Sequence, residues 1–408
     1  MSDKPLIPES ADAITTVWLQ QALAAGGALA APAIQDIEVE ALGDDNHAAG
    51  RLLRCHLRYD DGAAPAPESV IVKLSPADPV MKFLTRLGAA QKREYTWYRR
   101  FAPGAQIRSP ALFYGDFDER NHNMALVLED LRNMKAIPQS AGIDAERGRV
   151  ALRAIARLHG QFWEQSEVLA LADCYNTLGL TYSRCLQLAY QGLLAAAHRR
   201  FRDEFTPETL RLTEVLGMTF ADHAGALATG PLTFIHGDYR ADNMFFDDSG
   251  AQELVAIDWQ TSGAGSGLYD VAYFLATNVS AEDRRRIERE ALAEYHDIVC
   301  GMGAKNFSFD DCWRSYRQNM LSVLLYLMLG CGGTDVSNEQ LGKLLTKSLR
   351  GVLTAIADLD VVDLLPQRKR LWSPAGAFSS LSRVVYNTSR LAYYAHGKIT
   401  RRGGSRGA

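Results

Sequence analysis

The chain is short of most features that would place it outside ordinary globular enzymes. Its six cysteines (55, 174, 185, 300, 312 and 331) form no CxxC pair and no regular spacing. That argues against a disulfide or zinc framework and predicts reduced packing thiols in a cytosolic protein. No apolar run approaches the roughly twenty residues of a membrane span. The longest, Met320 to Cys331, reads as a buried helix. Basic charge is not in excess either: the formal charge is -4, which argues against a broad nucleic-acid binder needing clustered Lys and Arg. Met1 to Ser10 is polar and contains proline, so no signal peptide is expected. What remains, 408 residues with 47% hydrophobic and 23% charged content, suits a cytoplasmic enzyme of two lobes with ample core. The composition sets no oligomeric state.

Hydrophobic periodicity divides the chain. Ser10 to Ala25 predicts a helix with Ile14, Val17, Trp18, Ala22 and Ala25 on one face and GlyGly as its stop. Alternating runs at 34–43, 51–62 and 68–76 predict an antiparallel meander, followed by a helical segment from Pro79 to Phe101 with Met81, Leu84, Leu87, Tyr95 and Tyr98 among its apolar positions. Two further strands are expected at 111–118 and 123–131. Beyond Leu131 helices dominate, at 183–229 and 282–300 among others. One hairpin interrupts them, "NMFF" and "ELVAID" flanking the turn at 247–250. The expected fold class is therefore α+β: a β-rich N-terminal lobe over 1–131, a larger and mainly helical lobe over 132–399, and a low-complexity, disordered tail over 400–408.

The stretch "FIHGDYRADNMFF" (234–246) concentrates polar groups between apolar flanks. Any one of its residues is as readily a turn or a cap. Asp238 and Asn243, however, stand five apart, as do the catalytic aspartate and metal-binding asparagine of protein kinases. Asp258 follows in "AIDWQ", and the intervening hairpin would bring it to the same end as Asn243. Two oxygen donors on adjacent strands suit a hard cation that keeps several waters. Phosphoryl transfer from ATP also needs a cation on the α/β-phosphates. Lys73, inside "VIVKL", is the candidate. Its natural partner is Glu94 on the next helix, the only glutamate between Glu68 and Glu119.

The turn "GDDNHAAG" (43–50) is not GxGxxG, and Asp44 and Asp45 would repel phosphate unless they point away. Backbone amides from Asn46 to Ala49 are the candidate phosphate cradle. "LVLEDL" (126–131) joins the two lobes, and an adenine held there would bond to the backbone at Glu129 and Leu131.

"HGDYRADN", "IDWQ" and "YDVAYFL" together resemble the aminoglycoside phosphotransferase and choline kinase superfamily, with its protein-kinase-like bilobal fold, and within it the ecdysteroid-kinase-like branch. The resemblance covers nearly the whole chain. It implies ATP and Mg²⁺ as cofactors, Asp238 as catalytic aspartate, Asn243 and Asp258 as metal ligands, Lys73 with Glu94 on the nucleotide, and His236 as a buttress of the catalytic loop. Asp270, opening the "YDVAYFL" helix, would cap it or bond to the loop. Arg240 is added from its position two residues after Asp238, where its charge would face the transferring phosphoryl group. Trp259 stands where the family more usually has Phe. No APE-type activation segment follows Asp258, which counts against a protein substrate.

The expected reaction is therefore ATP-dependent phosphorylation of a small-molecule hydroxyl. A bulky apolar alcohol, sterol-like or a hydroxyacyl thioester, is the candidate acceptor if "CWRSYRQNMLSVLLYLM" (312–328) lines its pocket. Core packing explains that segment as well. The competing readings are a nucleotide-binding pseudokinase, an aminoglycoside- or choline-type kinase, and a metal-dependent hydrolase using His236 and Asp238.

Overall fold

A computed structural model describes residues 4–27, 33–42, 50–59, 66–174, 180–247, 254–334, 338–365, 378 and 381–390. The turn at 43–49 with Asn46, most of the 247–250 turn, and the 400–408 tail lie outside the described residues. The chain divides into two compact units. The first comprises Met1–Ala136, His236–Asp238 and Asn243–Ser262; the second comprises Ile137–Ile235, Tyr239–Asp242 and Gly263–Ala408.

In the first unit, alternation of side chains builds an antiparallel five-stranded sheet. Its strands are β1 (Ile34–Ala41), β2 (Arg51–Tyr59), β3 (Ser69–Leu74), β4 (Leu112–Phe117) and β5 (Met124–Glu129), ordered β1-β2-β3-β5-β4. The first three form the expected meander, and β5 then inserts between β3 and β4. Leu53, Cys55 and Leu57 of β2 and Val70, Val72 and Leu74 of β3 recur every second residue and are buried in one apolar cluster. Helix α1 (Thr16–Ala25) joins it through Trp18, Leu19, Ala22 and Leu23. Val17, expected on the buried face, is 66% exposed, and Leu19 and Leu23 fill the core instead.

The single helix expected over 79–101 is divided. Helix α2 (Pro79–Leu87) ends at Gly88, and α3 (Ala90–Thr96) starts after Ala89, whose φ of +52° breaks the helical path. A π-helical turn, Trp97–Phe101, continues α3. Short strands complete this unit: β6 (Lys135–Ala136) pairs with β8 (Met244–Phe246), which pairs with β9 (Leu254–Ala256), the expected hairpin.

The second unit is mostly helical. Its helices are α4 (Ala145–Gln161), α5 (Ser166–Cys174), α6 (Leu180–Arg200), α7 (Pro207–Ala228), α8 (Leu268–Asn278), α9 (Ala281–Gly301), α10 (Phe309–Gly333) and α11 (Glu339–Asp358). A two-stranded ladder joins β7 (Thr233–Ile235) to β10 (Gly263–Gly265). Helix α10 is the hub, packed against α6, α8 and α11, with Tyr316, Met320, Leu324, Leu325 and Met328 buried. Core packing thus accounts for most of the apolar side chains of 312–328, whereas Trp313, Tyr326 and Leu327 are half-buried. No described helix is long and apolar enough to cross a membrane.

Candidate active site

Lys73 lies on the central strand β3, between Leu52 of β2 and Leu126 of β5. The pleat aims Val72 and Leu74 into the α1-side core, so Lys73 emerges on the opposite face, where it is nevertheless only 4% exposed. A buried ammonium is tolerated only with partners. It has two: Glu94 Oε1 at 2.7 Å and Asp258 Oδ1 at 2.8 Å. Burial alone would lower its pKa, but the Asp258 and Glu94 carboxylates more than offset this and raise it. Glu94 is the more deeply buried carboxylate. Burial pushes its carboxyl up against the pull of Lys73, and Asp258 pushes in the same direction as burial. One cation thus serves two acids, and the trio is short of positive charge.

Glu94 is fixed by more than Lys73, since its carboxylate also accepts the backbone N–H of Trp259. Trp259 stacks on Trp97 of the π-helical turn, with centroids 3.5 Å apart and planes 11° from parallel. Both rings are fully buried, and their indole N–H groups donate to Ala256 O and Ser109 Oγ. The aromatic residue that follows Asp258 therefore locks α3 to the metal-ligand candidate.

Asp258 itself sits at φ +64°, ψ +64°, a left-handed conformation uncommon for a non-glycine residue. Its Oδ2 accepts from Gln260 Nε2 at 3.3 Å. The hairpin register sets Met244 opposite Ala256, and Ile257 N–H donates to Asn243 O at 3.0 Å, so Asn243 and Asp258 emerge at the same end. The Asn243 amide donates through Nδ2 to Asp238 O (2.9 Å) and Asp238 Oδ2 (3.1 Å). Since those atoms only accept, the Asn243 Oδ1 is the end turned away from Asp238.

His236 is fully buried. Its Nε2 lies 2.9 Å from Ile257 O, and its Nδ1 lies 3.3 Å from Asp238 N. A carbonyl accepts and an amide donates, which makes this the neutral tautomer protonated on Nε2. Both nitrogens are committed to the loop, which disfavours His236 as a metal ligand. Gly237 has φ +82°, and a Cβ there would stand 2.6 Å from Thr261 O, so only glycine fits. Across this close approach Thr261 Oγ1 donates to His236 O at 3.0 Å.

Residues 239–242 belong to the second unit. Arg240 Nη1 donates to Gln139 Oε1 at 3.3 Å and approaches Asp242 Oδ2 at 3.5 Å. Asp242, read as a turn residue, accepts Gln139 N–H at 2.7 Å. Gln139 is only 2% exposed, its Nε2 reaches Thr277 Oγ1, and its carbonyl accepts from Lys347. Asn278 Oδ1 accepts Ala241 N–H at 2.8 Å. Neither Gln139 nor Asn278 was expected at the site; no local motif marks a lone carboxamide a hundred residues from the loop it holds. Asp270 lies in the first turn of α8. It is fully buried against His159 Nε2 at 3.2 Å, and His159 Nδ1 meets the Tyr295 hydroxyl at 2.9 Å.

Glu129 ends β5. Its N–H donates to Ala111 O, and its carboxylate takes the Ala111 N–H and the Arg108 guanidinium. Leu131 is buried; its carbonyl accepts Met134 N–H, while its own N–H donates to no described residue.

A family model described as the ecdysteroid kinase-like family matches residues 44–300, which is 257 of the 408 residues and includes every site residue named above. The chain belongs to that family. Among solved structures it is similar to a choline kinase of Cryptosporidium parvum Iowa II, at 10% identity and TM-score 0.49, over 80% of this chain and 92% of that one. An ethanolamine kinase of Plasmodium vivax matches at 12% and 0.45, over 79% and 81%. A provisionally assigned aminoglycoside phosphotransferase of Ralstonia eutropha JMP134 matches at 14% and 0.48, over 86% and 98%. No functionally curated protein matches the chain.

Proposed function

We propose that this protein transfers the γ-phosphoryl group of ATP to a hydroxyl of a small molecule. The observation that carries the reading is the buried Lys73 ammonium held between Glu94 and Asp258, in the same unit as Asp238 and Asn243. Lys73 is the cation for the α/β-phosphates, kept in place by Glu94. Leu131 N–H, with no described acceptor, and the Glu129 carbonyl are the backbone groups for adenine. Asn46, outside the described residues, is assigned to the phosphates from its sequence position.

The donor set fits Mg²⁺. Asn243 Oδ1 faces away from Asp238, and the Asp258 carboxylate carries negative charge that one ammonium shares with Glu94. Both are hard oxygen donors of the kind Mg²⁺ takes beside phosphate and water. When bound, Mg²⁺ offsets charge on the phosphate oxygens.

Asp238 accepts the proton of the acceptor hydroxyl as its oxygen bonds to the γ-phosphorus and the bond to ADP breaks. Asn243 holds the Asp238 carboxylate in orientation, and His236 with Gly237 holds its backbone. Arg240 adds positive charge two residues away. Acceleration then rests on positioning and electrostatics. The decisive experiment measures ADP release with Mg²⁺ across a panel of alcohols, bulky apolar alcohols and hydroxyacyl thioesters beside aminoglycosides and choline. Acceptor-dependent turnover that Asp238→Asn abolishes supports a kinase. ATP binding without turnover for any acceptor leaves the nucleotide-binding module.

A further inference from the structure

Helix α2 presents an apolar stripe to solvent. Val80, Phe83, Leu84 and Leu87 are 64%, 64%, 50% and 75% exposed, and no residue of the helix is buried. Their i, i+3, i+4, i+7 spacing puts all four on one face. Isolated exposed apolar residues are normal on protein surfaces, whereas four on one nine-residue helix form a patch that calls for a partner. The helix is already formed without one. Asp78 Oδ1 caps it by accepting Met81 N–H at 2.8 Å, Pro79 occupies its first turn, and Thr85 Oγ1 donates to Met81 O.

Charge indicates what the partner is. Lys82 and Arg86 are the only charged side chains on α2, and both are exposed: Arg86 flanks the stripe next to Phe83, and Lys82 follows it around the helix towards the half-buried Thr85. Neither makes an ion pair with a described residue. From 79 to 100 the chain carries six basic residues (82, 86, 92, 93, 99, 100), of which Lys92 is paired with Glu119, and one acid, Glu94, which is buried on Lys73. That is a net +5 within a chain of formal charge -4, leaving -9 for the rest.

We propose that α2 lies on an anionic lipid surface, with its apolar stripe at the headgroup–acyl boundary and Lys82 and Arg86 at the phosphates. A second copy of the chain suits the patch poorly. A helix of this length spans about 13 Å, while a stable interface buries roughly 800 Å² on each partner. Packing two stripes together would also crowd Lys82 and Arg86 against their own copies. This proposal is independent of the phosphotransfer reading, since none of these residues is assigned to the reaction.

The test is co-sedimentation of the full chain with phosphatidylcholine vesicles and with mixed phosphatidylcholine–phosphatidylglycerol vesicles. The wild type binds the anionic vesicles and is released by salt. The Phe83→Ser/Leu87→Ser variant, altered only at exposed positions, binds about tenfold less. Lys82→Gln/Arg86→Gln loses the preference for anionic lipid. Failure of the wild type to sediment, or equal binding by the apolar variant, overturns the proposal. So does a wild-type dimer that Phe83→Ser/Leu87→Ser converts to monomer without any lipid binding, which would assign the stripe to a second copy.

Discussion

Lys73 Nζ donates to Asp258 Oδ1 at 2.8 Å across 185 residues of sequence, and the same nitrogen holds Glu94 at 2.7 Å. Both contacts are nearly closed to water, so removing the ammonium leaves two carboxylates facing each other without compensation. Lys73→Met should therefore destabilise the protein by about 3 kcal/mol in urea unfolding and abolish phosphotransfer. Glu94→Gln leaves Lys73 its Asp258 partner and should cost clearly less. Equal losses for the two variants would mean that the ammonium is not the centre of the trio.

Asp238→Asn keeps an oxygen for the Asn243 Nδ2 bond and so leaves the loop in place. As the proposed proton acceptor, Asp238 should lower kcat by about 10²–10⁴-fold when replaced, with the KM for ATP nearly unchanged. Steady-state assays on the best acceptor check this. A variant retaining near-full turnover would remove Asp238 from the reaction.

Much of the candidate site's geometry was legible because it brings together residues that are locally rare. A lysine inside an apolar strand, the lone glutamate on the next helix, and the Asp238–Asn243 spacing each stood out against their surroundings. The five strands were legible from alternation. What escaped was tertiary. The 79–101 segment reads as one helix because its periodicity survives the break at Gly88 and Ala89, and nothing local says that Leu84 and Leu87 face solvent while Tyr98 is buried. Val17 fell on the wrong face for a similar reason: an alanine-rich helix offers two apolar stripes, and only the sheet beneath selects Leu19 and Leu23. The Trp97–Trp259 stack joins positions with no relation in sequence at all.

Two histidines of the second unit set an acid limit on stability. Burial lowers the pKa of His223 from 6.5 to about 4, and burial with nearby Arg390 does the same for His198. Their folded-state values lie below the unfolded one, so between these values the unfolded chain binds more protons. Their contribution is complete above the unfolded pKa and is lost as pH falls towards about 4, by up to roughly 3 kcal/mol for the fully buried His223. His223→Gln keeps a polar group beside Ser322 Oγ, the 2.9 Å partner of His223 Nε2, and should flatten this acid slope. Urea unfolding at neutral and mildly acidic pH checks it. Parallel slopes for both proteins would remove His223 as a cause.

Arg284 is 1% exposed and binds Glu288 at 2.6 Å and Asp358, while the Tyr316 hydroxyl donates to the same Glu288 oxygen. Arg284→Met leaves the buried Glu288 with only the Tyr316 hydroxyl, while Asp358 keeps Arg285, and should destabilise the protein by about 3 kcal/mol. Arg285→Met removes only an exposed, solvent-screened partner of Asp358 and should cost clearly less. Thermal unfolding of the two variants distinguishes a buried network from a surface pair.

Gln139 offers the most specific test of how loop 239–242 is held. Its backbone N–H fixes Asp242 and its side-chain oxygen fixes Arg240, so it is a positioning residue with no expected contact to substrate. Gln139→Leu removes the Arg240 bond while keeping the backbone bond to Asp242. It should lower kcat about tenfold, equivalent to one charged hydrogen bond of about 1.4 kcal/mol, and leave the KM for ATP unchanged. If it acts only through Arg240, the Gln139→Leu/Arg240→Ala double variant should be no slower than Arg240→Ala alone, because the second change has nothing left to disturb. Fully additive losses would mean that Gln139 supports the loop by another route, such as its bond to Thr277, and that Arg240 is not its point of action.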